Sequence, residues 1–381
     1  MIPYGRQSIN DDDIHAVVEV LKSDFLTQGN CVTEFEHALC RYTGARYGTV
    51  VNSATSALHL ACLGLGVNHN SLVWTSPISF VASANCARYC GAQVDFVDID
   101  YRTHNMDAAK LAHKLAQANA TQQPLPDVVI VVHMAGLSCD MEAIHSLSKT
   151  YGFKIIEDAS HAIGGRYQHN AIGCGDFSDA CIFSFHPVKI ITTGEGGALM
   201  CNDAALHEKV QRLRSHGITR DPALMGEQAP WYYQQLELGF NYRMTDVQCA
   251  LGMSQLQRID QFIERRRQLA RQYYEALKDT NLILPNVDGS EYSAWHLYIV
   301  KMGDFGPSRR LVYDSLIQAG VGVNVHYIPI YKQPDYQALG FNERYCDTAE
   351  CYYQQCLTLP LHPALSDDEF NQVVTTLRSL L

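Results

Sequence analysis

Between residues 47 and 202, short β-branched runs alternate with stretches patterned for helix, and this restricts the chain to few folds. Thr49-Val50-Val51 reads as a strand, followed by a helix near Thr55 to Leu65. Leu72-Val73-Trp74, a helix near Phe80 to Tyr89, and Val94-Asp95-Phe96-Val97 come next. Asp127 to Val132 forms a largely apolar run, with a helix near Met141 to Tyr151 and then Lys154-Ile155-Ile156. Cys181 to Phe185 and Gly197 to Cys201 read as further strands. Continuous apolar strands are buried on both faces, and parallel strands need crossover helices. The expectation is an α/β fold with a mostly parallel central sheet and helices on both faces.

The chain continues well beyond that sheet. A length of 381 residues suits a large domain plus a smaller one. A long amphipathic stretch from about Thr245 to Lys278 has apolar residues at helical spacing and leads into the second part. There the pattern predicts a strand near Leu297 to Val300, a helix near Ser308 to Ala319, a strand near Val321 to Val325, and a final helix from about Asp367. The division expected is 1–260 for the large domain and 261–381 for a small C-terminal α+β domain. No internal repeat and no low-complexity segment interrupts the reading.

Charge and cysteine content narrow the partners. A net charge of -11 argues against a nucleic-acid or anionic-membrane partner. The most apolar long stretch, Cys181 to Met200, carries His186, Lys189 and Glu195, so it cannot span a membrane. Thirteen cysteines are scattered through apolar stretches without a C-x-x-C pair or zinc-site spacing. Reduced thiols in a cytoplasmic protein are expected, with no metal. The opening Met1-Ile2-Pro3-Tyr4-Gly5-Arg6 does not read as a signal peptide.

Several positions carry chemistry. Asp158 follows the strand Lys154-Ile155-Ile156, where the carboxyl ends of parallel strands line a ligand crevice. An acid there can keep a pyridine nitrogen protonated; the ordinary alternative is a helix cap. Lys189 follows Phe183-Ser184-Phe185-His186-Pro187-Val188 and precedes Thr192-Thr193-Gly194-Glu195-Gly196-Gly197. Apolar surroundings disfavour an ammonium and leave more of a nucleophilic amine; the alternative is a snorkelling surface lysine. Asn52-Ser53-Ala54-Thr55-Ser56-Ala57-Leu58 joins a strand to a helix, whose free N–H groups suit a phosphate as well as a plain cap. Phe80 can stack on a flat ring or serve as core.

These motifs, taken in order, resemble the DegT/DnrJ/EryC1/StrS sugar aminotransferases, which are fold-type-I pyridoxal-phosphate enzymes. The resemblance covers essentially the whole chain. It is carried by Asp24-Phe25-Leu26-Thr27-Gln28-Gly29, Asn52 to Leu58, Pro77-Ile78-Ser79-Phe80-Val81-Ala82 and Glu157-Asp158-Ala159-Ser160-His161-Ala162. Phe183 to Gly197, Arg214-Ser215-His216-Gly217, Asn241-Tyr242-Arg243 and Asn324-Val325-His326-Tyr327 complete it.

The resemblance implies a role for each matching position. Lys189 matches the family's Schiff-base lysine and Asp158 the pyridine-nitrogen acid. His161 stands near the cofactor's phenolic oxygen, and Phe80 takes the ring-stacking place. Ala54 and Thr55, with Ser184, match the phosphate cup. Asn241 matches an asparagine contributed by the neighbouring subunit, which implies a homodimer with shared active sites. Tyr4, the segment Asp24, Phe25, Leu26 and Thr27, and the segment Asn324, Val325, His326 and Tyr327 match places that hold the nucleotide sugar. The implied cofactor is pyridoxal 5'-phosphate, with L-glutamate as donor and a UDP-linked keto sugar as acceptor. Phe185 to Gly197 and Ile2 to Gln7 resemble the branch serving pseudaminic acid synthesis. Perosamine- or legionaminic-type acceptors are the alternatives, as is a cofactor-binding regulatory module without turnover. Lysine at 189 argues against the dehydrating branch, which has histidine there.

Overall fold

The computed structural model describes residues 1–226, 228–286, 292–303, 306–342 and 344–381. Seven strands build the central sheet: β1 (Tyr47–Val51), β2 (Leu72–Thr75), β3 (Gln93–Phe96), β4 (Val128–Val132), β5 (Lys154–Asp158), β6 (Ala180–Ser184) and β7 (Gly197–Cys201). Their order is β1-β7-β6-β5-β4-β2-β3. β7 is antiparallel to β1 and to β6, while the remaining pairings are parallel. The alternation in the sequence is therefore realised as the expected sheet.

Alternate residues of each strand serve opposite faces. Ile156, Ile182 and Leu199 pack with α3 (Ala54–Gly64) and α4 (Ala82–Tyr89) on one face. Phe183, Ala198 and Met200 face the other way, with Phe35 and Leu39. Val129, Val131 and Ile155 share that second direction with Leu111 and Leu115 of α5 (Ala108–Ala120) and Ile144 of α6 (Met141–Tyr151). Phe35 and Leu39 belong to the helix Asn30–Thr43, which with Asp11–Leu21 precedes the sheet. The expected helices near Thr55 and Met141 are present, whereas Asp11–Leu21, Asn30–Thr43 and α5 were not anticipated.

The expected stretch from Thr245 to Lys278 is two helices, Asp246–Leu256 and Ile259–Leu277. They meet at Arg258, whose φ of -108° and ψ of 5° depart from the helix. Both halves keep helical spacing, so periodicity does not reveal the break. Beyond it, β8 (Tyr298–Lys301) pairs antiparallel with β9 (Cys356–Leu359). Leu269, Tyr273 and Leu277 pack with Val312, Leu316, Phe370 and Val373 into a second core. The helix Arg309–Gln318 begins after its cap Ser308, as the pattern predicts. Val321 to Val325 is not a strand. The segment makes only single bridges, Val321 with Ile2 and Asn324 with Thr358, because those two neighbours do not lie on one partner strand.

Candidate active site

Strand alternation separates two neighbouring acids at the end of β5. Glu157 points to one side, where it meets His133 Nε2 at 2.7 Å. Asp158 points to the other and lines a cavity of about 690 Å³ at the carboxyl ends of the strands. Its two oxygens are held apart. One accepts from the Ser83 hydroxyl at 2.5 Å, the other from the Ser160 hydroxyl at 2.6 Å and its N–H at 3.2 Å. The carboxylate is 5% exposed, so it is positioned rather than merely solvated.

Lys189 enters the same cavity after β6. No hydrogen bond or ion pair of its Nζ occurs among the described residues, although Asp158 acts on it electrostatically. Burial lowers its pKa from 10.5 to about 8, and Asp158 offsets part of that effect. A lysine so placed is a free amine for a much larger fraction of the time than one in water.

His161 makes one side-chain hydrogen bond among the described residues, Nε2 with the Tyr327 hydroxyl at 3.2 Å, while its Nδ1 is buried without a partner. Burial, then Lys189 and His326, keeps its pKa well below the usual value. The ring is neutral, with one nitrogen still able to meet a ligand oxygen. Phe80 stands at the mouth, 61% exposed, with its ring 6.5 Å from that of Tyr327.

A cradle of free donors forms where β7 passes the start of α3. Ser53 caps α3 by accepting the Ser56 N–H at 3.1 Å. The first N–H groups of a helix, here Ala54 and Thr55, have no acceptor within it. Gly197 lets the strand approach: a Cβ there would lie 2.5 Å from the Ala54 nitrogen. Ser184, opposite Gly197 in the register, also lines the cavity. The site thus offers a free amine, an oriented acid, an unpaired imidazole nitrogen and an anion cradle, and this set fits pyridoxal phosphate.

Tyr4, Asn324, Val325, His326 and Tyr327 line the cavity from the small-domain side and the N-terminus. The Tyr4 and His326 rings are 5.3 Å apart. Asp24, Phe25, Leu26 and Thr27 are not among its walls; Thr27 bridges to Thr245, and Phe25 is 64% exposed. Asn241 also lies outside the chain's own cavity, bridged to Ser215. Ser83, Ser160, His186 and Glu195 line the cavity without having been anticipated. For Ser160 the signal was available, since a hydroxyl two residues after an acid can bond back to it.

Comparison with known proteins agrees with this geometry. The profile of the DegT/DnrJ/EryC1/StrS aminotransferase family matches residues 7–378. The chain is 39% identical to a UDP-4-amino-4,6-dideoxy-N-acetyl-beta-L-altrosamine transaminase of Campylobacter jejuni, covering 100% of this chain and 98% of the relative. It is similar in structure to Helicobacter pylori PseC, an aminotransferase involved in the biosynthesis of pseudoaminic acid. The TM-score is 0.90, at 32% identity over 100% of this chain and 98% of that one. The putative sugar aminotransferase Spr1654 of Streptococcus pneumoniae, in its PMP form, gives a TM-score of 0.91 at 29% identity over 100% and 99% of the two chains. With its cavity built for the cofactor and its whole length matched, the chain belongs to the DegT/DnrJ/EryC1/StrS aminotransferase family and is a pyridoxal-phosphate-dependent sugar aminotransferase.

Proposed function

We propose that the enzyme moves an amino group from L-glutamate to the 4-keto carbon of UDP-2-acetamido-2,6-dideoxy-beta-L-arabino-hex-4-ulose. The product is UDP-4-amino-4,6-dideoxy-N-acetyl-beta-L-altrosamine, and 2-oxoglutarate is released. The observation that carries the chemistry is Lys189, a half-buried amine without a hydrogen-bond partner among the described residues, sharing its cavity with Asp158. The choice of sugar is supported by the product named for the Campylobacter relative.

Pyridoxal phosphate, when bound, supplies a carbonyl that accepts nitrogen and a ring that takes up the charge left when a Cα–H bond breaks. Lys189 Nζ takes the proton from the donor's Cα and returns it at the cofactor's C4′. Asp158, fixed by Ser83 and Ser160, holds the ring nitrogen protonated. His161 Nδ1 is available to the phenolic oxygen, and Phe80 covers one ring face. Ala54, Thr55 and Ser184 hold the phosphate. Tyr4 and the Asn324 to Tyr327 segment position the sugar.

The working unit in this reading is a homodimer in the cytoplasm. Trp231 and Leu238, 79% and 81% exposed, lie near Asn241 in sequence, and Phe25 is likewise an exposed apolar side chain. The partner's copy of these regions brings Asn241 and the Asp24 to Thr27 segment to this chain's cavity. Functionally the chain divides into 1–260, which holds the cofactor, and 261–381, which closes over substrate.

The test is an absorbance spectrum of the purified protein before and after L-glutamate, followed by addition of the keto sugar. Conversion of the chromophore by glutamate, and its return with the named ulose but not with perosamine- or legionaminic-type keto sugars, supports the proposal. A chromophore blind to glutamate, or one restored only by another keto sugar, overturns the donor or the acceptor respectively.

A further inference from the structure

A second cavity, of about 290 Å³, lies behind the wall of the first. Arg102 and His104 reach it from the loop after β3, Arg267 and Arg271 from the helix Ile259–Leu277, and Trp295 from the segment leading into β8. Among the described residues no acidic side chain lines it, in a chain whose net charge is -11. Arg267 and Arg271 are four residues apart and share one helix face.

The positive groups are largely unspent. Arg267 rests on the Tyr292 ring at 3.8 Å, with Nη1 buried and without a partner. Arg271 is exposed at the rim. Arg102 has Asp100 4.0 Å from its Nε, but Asp100 also accepts from the Thr103 N–H and hydroxyl. His104 is 4% exposed, and its Nε2 has no partner among the described residues. Burial, then Lys301, lowers its pKa to about 3, so it meets a ligand as a neutral ring.

Trp295 lines the second cavity and His161 the first, with His296 adjoining both residues. Trp295 faces the second cavity, while the ring of the next residue, His296, lies 4.4 Å from that of His161. The Ala135 carbonyl accepts from the His296 N–H at 2.9 Å, which ties this turn to the end of β4. Ala135 and Trp295 both hold left-handed φ values, 59° and 49°. Strain of this kind in residues with a Cβ concentrates at ligand clamps and switches.

We propose that this cavity is an effector site for a small phosphorylated anion. Guanidinium forks match phosphate oxygens in pairs, and the apolar surface of Trp295 and Leu297 receives the rest of the molecule. Occupancy moves the Trp295-His296 turn, and that turn adjusts His161 beside Lys189.

The test titrates the cofactor-loaded enzyme with inorganic phosphate at constant ionic strength. Binding is read by calorimetry, and the rate of spectral change with L-glutamate is read in parallel. Arg102→Gln/Arg271→Gln alters two exposed side chains outside the active site. Its affinity for phosphate is expected to fall about tenfold or more, and its glutamate rate to lose any phosphate dependence while keeping the phosphate-free value. Should that variant misfold, Arg271→Gln alone is read in the same way. Equal phosphate binding and response in variant and parent overturns the proposal, as does absence of phosphate binding in the parent. Calorimetry does not depend on the proposed donor or acceptor, so failure of that assignment is recognised separately.

Discussion

Burial acts on Lys189 and His161 in the same direction and gives them different uses. For both, the charged form is disfavoured, yet the neutral lysine is the nucleophile and the neutral histidine a hydrogen-bonding partner. The fall from 10.5 to about 8 leaves roughly 300-fold more free amine on Lys189 at neutral pH. In the apoprotein that same burial costs stability below about pH 8, and the cost shrinks as the pH rises towards 10.5. Capture of added pyridoxal phosphate by apoprotein is expected to accelerate with pH and level off above about 8. A capture rate independent of pH between 6 and about 9 would contradict this. Lys189→Ala removes the capture and lowers turnover by about 10³-fold or more while the fold persists, as circular dichroism can check. Asp158→Asn is expected to slow the glutamate step by about 10²-fold or more with much smaller loss of cofactor; stopped-flow absorbance separates the two.

Among the elements, the first helix, Asp11–Leu21, packs along Asp246–Leu256 and is anchored there by one acid. Asn10 and Asp13 form a reciprocal cap at its start. Asp13 is also fully buried and accepts from Ser254 at 2.6 Å, from Gln255 at 2.7 Å, and from Arg258. Asp13→Ala leaves the Arg258 charge without its buried partner, and a loss of about 3–5 kcal/mol is expected. A denaturation midpoint unchanged from the parent would show that the contact is not structural. This helix was invisible in the alternation of short runs because its apolar face is narrow and its binding to the molecule is polar. Strands are different. Val128 to Val132 is buried throughout, so its residues alone announce a central strand. Lys189 and Asp158 were legible for a similar reason: Asp158 ends such a strand and Lys189 follows one within a few residues. Ser83 was not, because its tie to Asp158 joins positions 75 residues apart. The same distance effect hid the second cavity, whose arginines come from segments far apart in the chain.

For the whole molecule, the proposed shared site makes a prediction that no single chain can satisfy. Asn241→Ala and Lys189→Ala each impair turnover alone. Mixed and reassembled, they create dimers in which one of two sites has both residues intact, so recovery approaches about one quarter of the parent activity. No recovery would place Asn241 in its own chain's chemistry or outside it altogether. A second tie operates within the chain. Ile2 exchanges backbone hydrogen bonds with Gly320 and Gly322 at 2.8 and 2.7 Å, and the Tyr4 carbonyl accepts the Leu361 N–H at 3.0 Å. Deletion of residues 1–5 is expected to raise the sugar KM by about tenfold and to spare the glutamate step; equal effects on both would mean that the segment is only structural.

That pairing of the two ends has a consequence for synthesis on the ribosome. Ile2 and Tyr4 have no resting place until Gly320, Gly322 and Leu361 have followed them. Asp158 and Lys189 are already available while Tyr327, the partner of His161, is still unmade. The growing chain can therefore assemble its sheet early, but the cavity gains its far wall only once Asn324 to Tyr327 have followed, and cofactor loading comes after the sheet is built.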